Sequence, residues 1–122
     1  MDTFRVVIAG GREFKNYDLL KSKLDQLLGE KFKTHRVEIV SGKARGADAL
    51  GERYAKENGL QIHAFHANWD LWGKSAGYRR NEAMAKNSDA TVAFWDGVSR
   101  GTKHMIDLTT KTGNLLRVVR YG

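Results

Sequence analysis

Four short segments of this chain set glycines beside Arg, Lys, Ser, Thr and Asp: Gly10–Phe14, Ser41–Asp48, Gly73–Glu82 and Trp95–Lys103. That mixture is the chemistry of phosphate binding. Glycine lacks a Cβ, so its backbone can approach an oxyanion closely. A helix that starts there adds unpaired N–H groups and a partial positive charge. Ser41-Gly42-Lys43-Ala44-Arg45-Gly46-Ala47-Asp48 joins a β-branched run to a helical pattern and supplies a hydroxyl at Ser41. Asp96-Gly97-Val98-Ser99-Arg100-Gly101-Thr102 repeats the design, with Ser99 and Thr102 able to cap the helix or contact phosphate. Gly10-Gly11-Arg12 follows the first β-branched run, and Arg79, Arg80 and Asn81 lie in the third segment.

Each residue carries a chemical reading and a plainer one. Arg12 and Arg80, and less so Arg79, suit bidentate phosphate contacts, or they are surface charges pairing with Glu13 or Glu82. Asn81 reads a base edge or a ribose hydroxyl, or caps its helix. Asp48 accepts from a ribose hydroxyl or neutralises Arg45. Asp96 is a base if a glycosidic bond is cleaved, and otherwise orders its own Asp-Gly turn. Trp69 and Trp72 stack on a purine or on single-stranded bases, or they form a lid or a dimer contact. Neither a Gly-x-x-x-x-Gly-Lys-Ser/Thr loop nor a Gly-x-Gly-x-x-Gly loop after the first strand is present, which argues against ordinary P-loop hydrolysis and NAD-dependent dehydrogenation. His63, His66 and His104 share no helical spacing and have no cysteine partners, so neither a metal site nor a cofactor is expected.

Positioning these segments requires a scaffold, and the periodicity supplies one. Arg5–Ala9, Arg36–Val40, Leu60–Phe65, Ala90–Trp95 and Leu115–Tyr121 read as strands. Helical patterns alternate with them over Tyr17–Leu28 (stopped at Gly29), Ala47–Lys56, Gly77–Lys86 and Ser99–Lys111, leaving His66–Ala76 as an irregular insertion. Alternation of this kind needs crossover connections and therefore a mostly parallel sheet with helices on both faces. The expected fold is an α/β, Rossmann-like three-layer sandwich with a mostly parallel five-stranded sheet, in a single domain spanning residues 1–122. Ligands of such sheets bind beyond the carboxyl ends of the strands, where the four segments fall.

Composition agrees with that picture. The chain has 122 residues, 21 Lys plus Arg against 14 Asp plus Glu, a formal charge of +7, 13 glycines, and no cysteine or proline. Within the four segments lie 8 of the 13 glycines, and eight basic residues against four acidic ones, so the positive charge is focused at one sheet edge. No apolar run approaches the ~20 residues that span a bilayer, so a membrane role is not expected. The amino terminus lacks the layout of a signal peptide, and a cytoplasmic location follows as the default expectation. Without cysteine there is no disulfide framework and no thiol nucleophile.

In this order, Gly10-Gly11-Arg12, Ser41-Gly42-x-Ala44-x-Gly46-Ala47-Asp48, Gly77-x-x-Arg80-Asn81 and Phe94-Trp95-Asp96-Gly97-x-Ser99-x-Gly101-Thr102 resemble the YspA-type, cpYpsA-related branch of the SLOG superfamily. The resemblance covers nearly the whole chain. It implies a Rossmann-like domain that binds nucleotides or nucleotide-derived ligands, with the first glycine pair, the Ser41–Asp48 loop and the Asp96–Thr102 loop lining the pocket. Lonely Guy phosphoribohydrolases and the DNA-processing protein A family belong to the same superfamily. The hydrolases carry a Gly-Gly-x-Gly-Thr-x-x-Glu motif, and aligning Gly101-Thr102 puts Met105 where that glutamate would stand. The Ser41–Asp48 loop is also similar to a loop of the DNA-processing family that binds single-stranded DNA. The leading expectation is a non-enzymatic binder that senses or sequesters a nucleotide-like ligand. N-glycosidic hydrolysis and single-stranded nucleic-acid binding are the alternatives, and self-association stays open.

Overall fold

The computed structural model describes residues 1–122. Five strands alternate with helices: β1 (Asp2–Gly10), α1 (Tyr17–Thr34), β2 (His35–Ser41), α2 (Ala47–Glu57), β3 (Ile62–Ala64), α3 (Trp69–Trp72), α4 (Ala76–Lys86), β4 (Ala90–Trp95), α5 (Arg100–Thr112) and β5 (Leu115–Arg120). The sheet order is β3-β2-β1-β4-β5, and every pairing is parallel. This is the Rossmann-like three-layer sandwich that the alternation predicts.

Strand periodicity builds the layers, because successive side chains point to opposite faces. Phe4, Val6 and Ile8 of β1 share one core with Leu20, Leu24 and Leu28 of α1 and Tyr54 of α2. Val7 and Ala9 face the other way, onto Met84 and Ala85 of α4 and Met105 of α5. No helix is long and apolar enough to cross a membrane.

Several elements differ from the sequence expectation: β1 extends over Asp2–Gly10, and β3 keeps only Ile62–Ala64 of the run read as Leu60–Phe65. Helix α1 does not stop at Gly29 but runs to Thr34. A mid-helix glycine costs about 1 kcal/mol, and Phe32, packed against the core one turn further on, offsets that cost. The stretch read as irregular contains α3 and a 3₁₀ turn over Gly73–Ser75. Asn68 starts α3 by accepting the Leu71 N–H at 3.0 Å.

The strand order creates the site. From the central β1 the chain moves outward first to β2 and β3, then returns to β4 and continues to β5 on the other side. Connections therefore leave the carboxyl ends of β1 and β4 in opposite directions, opening a crevice between them. Gly10 and Phe94 are the last paired residues below that crevice.

Candidate functional site

A cleft of about 340 Å³ occupies the crevice, lined by residues from all four glycine-bearing segments. Its base depends on two glycines. A Cβ on Gly10 would lie 2.5 Å from the Phe94 carbonyl and 2.6 Å from the Ala47 Cβ. Gly46, at φ +78°, leaves no room for a Cβ against the backbone of Gly11 and Arg12. This close approach lets the Ala47 N–H donate to the Gly11 carbonyl at 3.2 Å and the Gly11 N–H to the Phe94 carbonyl at 3.3 Å. Backbone alone thus joins the ends of β1 and β4 to the start of α2.

On the β4 side, Asp96 orders its own turn. One carboxylate oxygen accepts the Val98 and Ser99 N–H groups, each at 2.8 Å. Those two bonds, Ser99 first, hold its pKa below the usual carboxylate range. The Ser99 and Thr102 hydroxyls share one hydrogen bond at 3.1 Å. Half-buried Trp95 donates its Nε1–H to the Ser99 carbonyl at 3.1 Å. Gly97 adopts φ +87°, and the Arg120 guanidinium fills the space a side chain would need there. The α5 start is therefore rigid, while the N–H groups of Arg100, Gly101 and Thr102 find no acceptor in the protein.

The third segment contributes through the flank of α4 rather than its amino terminus. Asn81 is buried, and its Nδ2 donates to the Gly101 carbonyl at 3.3 Å and approaches His104 Nδ1 at 3.2 Å. Burial lowers the His104 pKa, consistent with a neutral ring accepting at Nδ1. Arg80 donates through Nη1 to the Gly42 carbonyl at 3.1 Å, but its Nε is buried without a partner. Burial lowers its pKa against the opposing pull of Asp48. Asp48, 7% exposed, accepts the Ala44 N–H at 3.3 Å. Burial pushes its carboxyl up from 3.8 to about 6, although the Ala44 N–H, Arg80 and the Gly42 N–H all favour the charged form. Asp48 and Arg80 approach without closing an ion pair.

The residues singled out from sequence thus divide. Gly10, Gly11, Arg12, Ala44, Asp48, Arg80, Asn81, Asp96, Ser99, Gly101 and Thr102 line the cleft. Ser41, Gly42, Lys43, Gly46 and Gly97 do not. Ser41 is buried and donates to Glu52 at 2.6 Å while accepting the Lys43 N–H, and Lys43 Nζ reaches Glu52 at 2.8 Å. These two side chains brace the loop. Gly42 and Lys43 instead line a second cleft of about 360 Å³, together with Trp69. Trp72 is in neither, and the Arg79 guanidinium covers its ring at 3.7 Å. No three His, Asp or Glu side chains converge as a metal would require.

Sequence reasoning missed Ala9, Glu13, Met84, Met105 and Tyr121 as lining residues. Tyr121 follows β5 at the same sheet edge, so the rule that selected the other loops could have found it. Its ring packs on Phe14 at 4.7 Å between centroids, and burial raises its pKa.

Fold and cleft together define a Rossmann-like α/β domain that presents glycine loops and a helix amino terminus at a topological switch point. Residues 4–72 match the family described as YAcAr, the YspA, cpYpsA-related SLOG family. The protein belongs to this SLOG family. It is 31% identical over 128 residues to the Gene 61 protein of Mycobacterium phage D29, an alignment covering 97% of this chain and 96% of that protein. Its fold is similar to that of DNA processing protein A from Streptococcus pneumoniae, with TM-score 0.72 and 16% identity over 99% of this chain and 51% of that one. The chain therefore spans about half the length of that protein. It is also similar to TM1055, a structural genomics target, with TM-score 0.63 and 17% identity over 95% of this chain and 72% of that one. At these identities the structural likeness concerns the fold.

Proposed function

We propose that the protein binds a nucleotide or nucleotide-derived ligand by its phosphate in the switch-point cleft and senses or sequesters it without cleaving it. The observation that carries this reading is Arg80, a largely buried guanidinium on the cleft lining that closes no ion pair and leaves its Nε without an acceptor on the Gly42 side. A buried donor without a partner costs about 1–3 kcal/mol, and more when charged. A phosphate in the cleft would offset that charge from the exposed part of the guanidinium, with Arg12 on the same lining and acceptor-free N–H groups at the start of α5.

Binding without chemistry suits the carboxylates present. Met105, at the position of the hydrolase glutamate, is an apolar residue, 1% exposed, on the cleft wall. Asp96 gives one carboxylate oxygen to its turn, and its lowered pKa makes it a weak base. One observation favours the hydrolase alternative: Asp48 lines the cleft with a pKa of about 6, in the range of a general acid. Single-stranded DNA binding, suggested by the resemblance of the Ser41–Asp48 loop to that of the DNA-processing family, predicts affinity that falls steeply with salt through several phosphate contacts.

The deciding experiment is a thermal-shift screen with nucleoside mono- and diphosphates, NAD and ADP-ribose, followed by chromatography for free base. At 100 times its Kd a ligand adds about 2.7 kcal/mol of stability. The expected result is a shift with at least one nucleotide, its loss in Arg80→Ala, and no free base. Free base that disappears in Asp48→Asn would establish the hydrolase instead. No shift with any nucleotide overturns the small-ligand reading.

A further inference from the structure

Beside the switch-point cleft lies the second cleft, and the two share Arg12, Ala44 and Arg80 as a common wall. Their volumes, about 340 and 360 Å³, each sit near the lower limit of small-molecule sites, which run from about 300 to 1,000 Å³. Joined across that wall, they offer room for a ligand larger than a mononucleotide.

Free charge is concentrated at the wall rather than at either end. In the second cleft Lys43 is held by the mostly buried Glu52 at 2.8 Å, while Arg45 pairs with Glu13 at 2.6 Å on the open surface, away from the wall. Arg12 makes no ion pair or side-chain hydrogen bond, and Arg80 bonds only the Gly42 carbonyl and keeps its unpartnered Nε. The two guanidinium groups without an ion pair therefore flank the junction, where a phosphate would meet both.

An aromatic surface lies on the far side of the junction. Trp69 lines the second cleft and is 51% exposed. Its ring tip rests over Gly77, where an added Cβ would be 3.5 Å away, so the start of α4 supports it. Unlike Trp72, it has no guanidinium over its face. A supported, half-exposed indole beside a phosphate-binding junction is the arrangement that stacks a base.

We propose that the ligand is a dinucleotide: one nucleoside in the switch-point cleft, the bridging phosphate or pyrophosphate between Arg12 and Arg80, and the second base stacked on Trp69. This inference rests on the nucleotide reading of the first cleft and adds the class of ligand.

The test titrates the full chain with adenosine and guanosine monophosphates. It then compares the matching dinucleosides bridged by one phosphate or by a pyrophosphate, using calorimetry and tryptophan fluorescence. The expected result is a dinucleoside bound at least about tenfold tighter than its mononucleotide, the gain a stacked base supplies. Trp69→Ala should erase that gain while leaving mononucleotide affinity unchanged, and Trp69→Phe should keep most of it. Equal affinity for the two ligands, or a gain that survives Trp69→Ala, overturns the dinucleotide site while the first cleft stands. A ten-residue oligothymidylate binding tighter than any dinucleoside, with steep salt dependence, also overturns it in favour of a strand. No binding by any nucleotide removes the reading of the first cleft, and this one with it.

Discussion

Replacing Asp48 with Asn isolates the electrostatic cost of the cleft in the empty protein. The carboxyl is 7% exposed and rises from 3.8 to about 6 on folding, chiefly through burial. Between those values the folded chain holds more protons than the unfolded one, so this group makes stability fall as pH rises through the window. Above both values the full penalty is about 3 kcal/mol, taking 1.36 kcal/mol per unit of difference. Asparagine keeps the shape and can still accept the Ala44 N–H, but it carries no charge at any pH. Asp25, Glu38, Glu52, Glu57 and Asp96 are all held low and push stability in the opposite direction. Comparing the two proteins at each pH cancels that background. Urea denaturation of the native chain and Asp48→Asn should show the variant's advantage growing by about 2 kcal/mol between pH 4 and pH 7, since at pH 4 the unfolded carboxyl is already partly charged. With a denaturant slope near 2 kcal/mol per molar, the midpoint difference should widen by about 1 M. A difference that stays flat with pH, or shrinks, would show instead that Arg80 neutralises Asp48 in solution.

The same titration reaches the ligand: a dinucleoside bridged by one phosphodiester, which has no second ionisation near pH 6, should bind more tightly at pH 5 than at pH 7.5. Calorimetry should find that dependence lost in Asp48→Asn, because a neutral side chain no longer opposes the phosphate beside Arg80. Gly46→Ala forces a side chain into the backbone of Gly11 and Arg12 at positive φ, and should destabilise by at least about 2 kcal/mol in chemical denaturation. Gly101→Ala meets open space within α5, so stability should stay level or rise by up to about 1 kcal/mol. A fall in nucleotide affinity in that variant would then report contact at the helix amino terminus rather than damage to the fold.

Much of this molecule can be read from local sequence. Alternating β-branched runs and helical periods specify the order of elements, and glycines mark the turns between them, because both signals act over a few residues. The parallel sheet follows, since crossovers leave no other pairing, and the location of the cleft follows from the sheet. Helix α1 passing through Gly29 was not legible locally, because the packing of Phe32 decides it from outside the segment.

Which side chains face the cleft required the assembled fold. Ser41 and Lys43 have the right chemistry and sit in the right loop, yet Glu52, on the next helix, claims both. Asp96 has two backbone donors within its own turn, so its role was open to local reading, whereas Asp48 differs only by burial under neighbours distant in sequence. Tyr121 arrives from the opposite end of the chain. By itself the sequence determined the SLOG-type α/β scaffold and the sheet edge that gathers glycine and positive charge, since both depend on residue type and spacing. Which cations lack an ion pair is settled only by folding, because a pair depends on distances of a few ångströms between segments far apart in the chain; Arg12 and Arg80 are left without one between the two clefts.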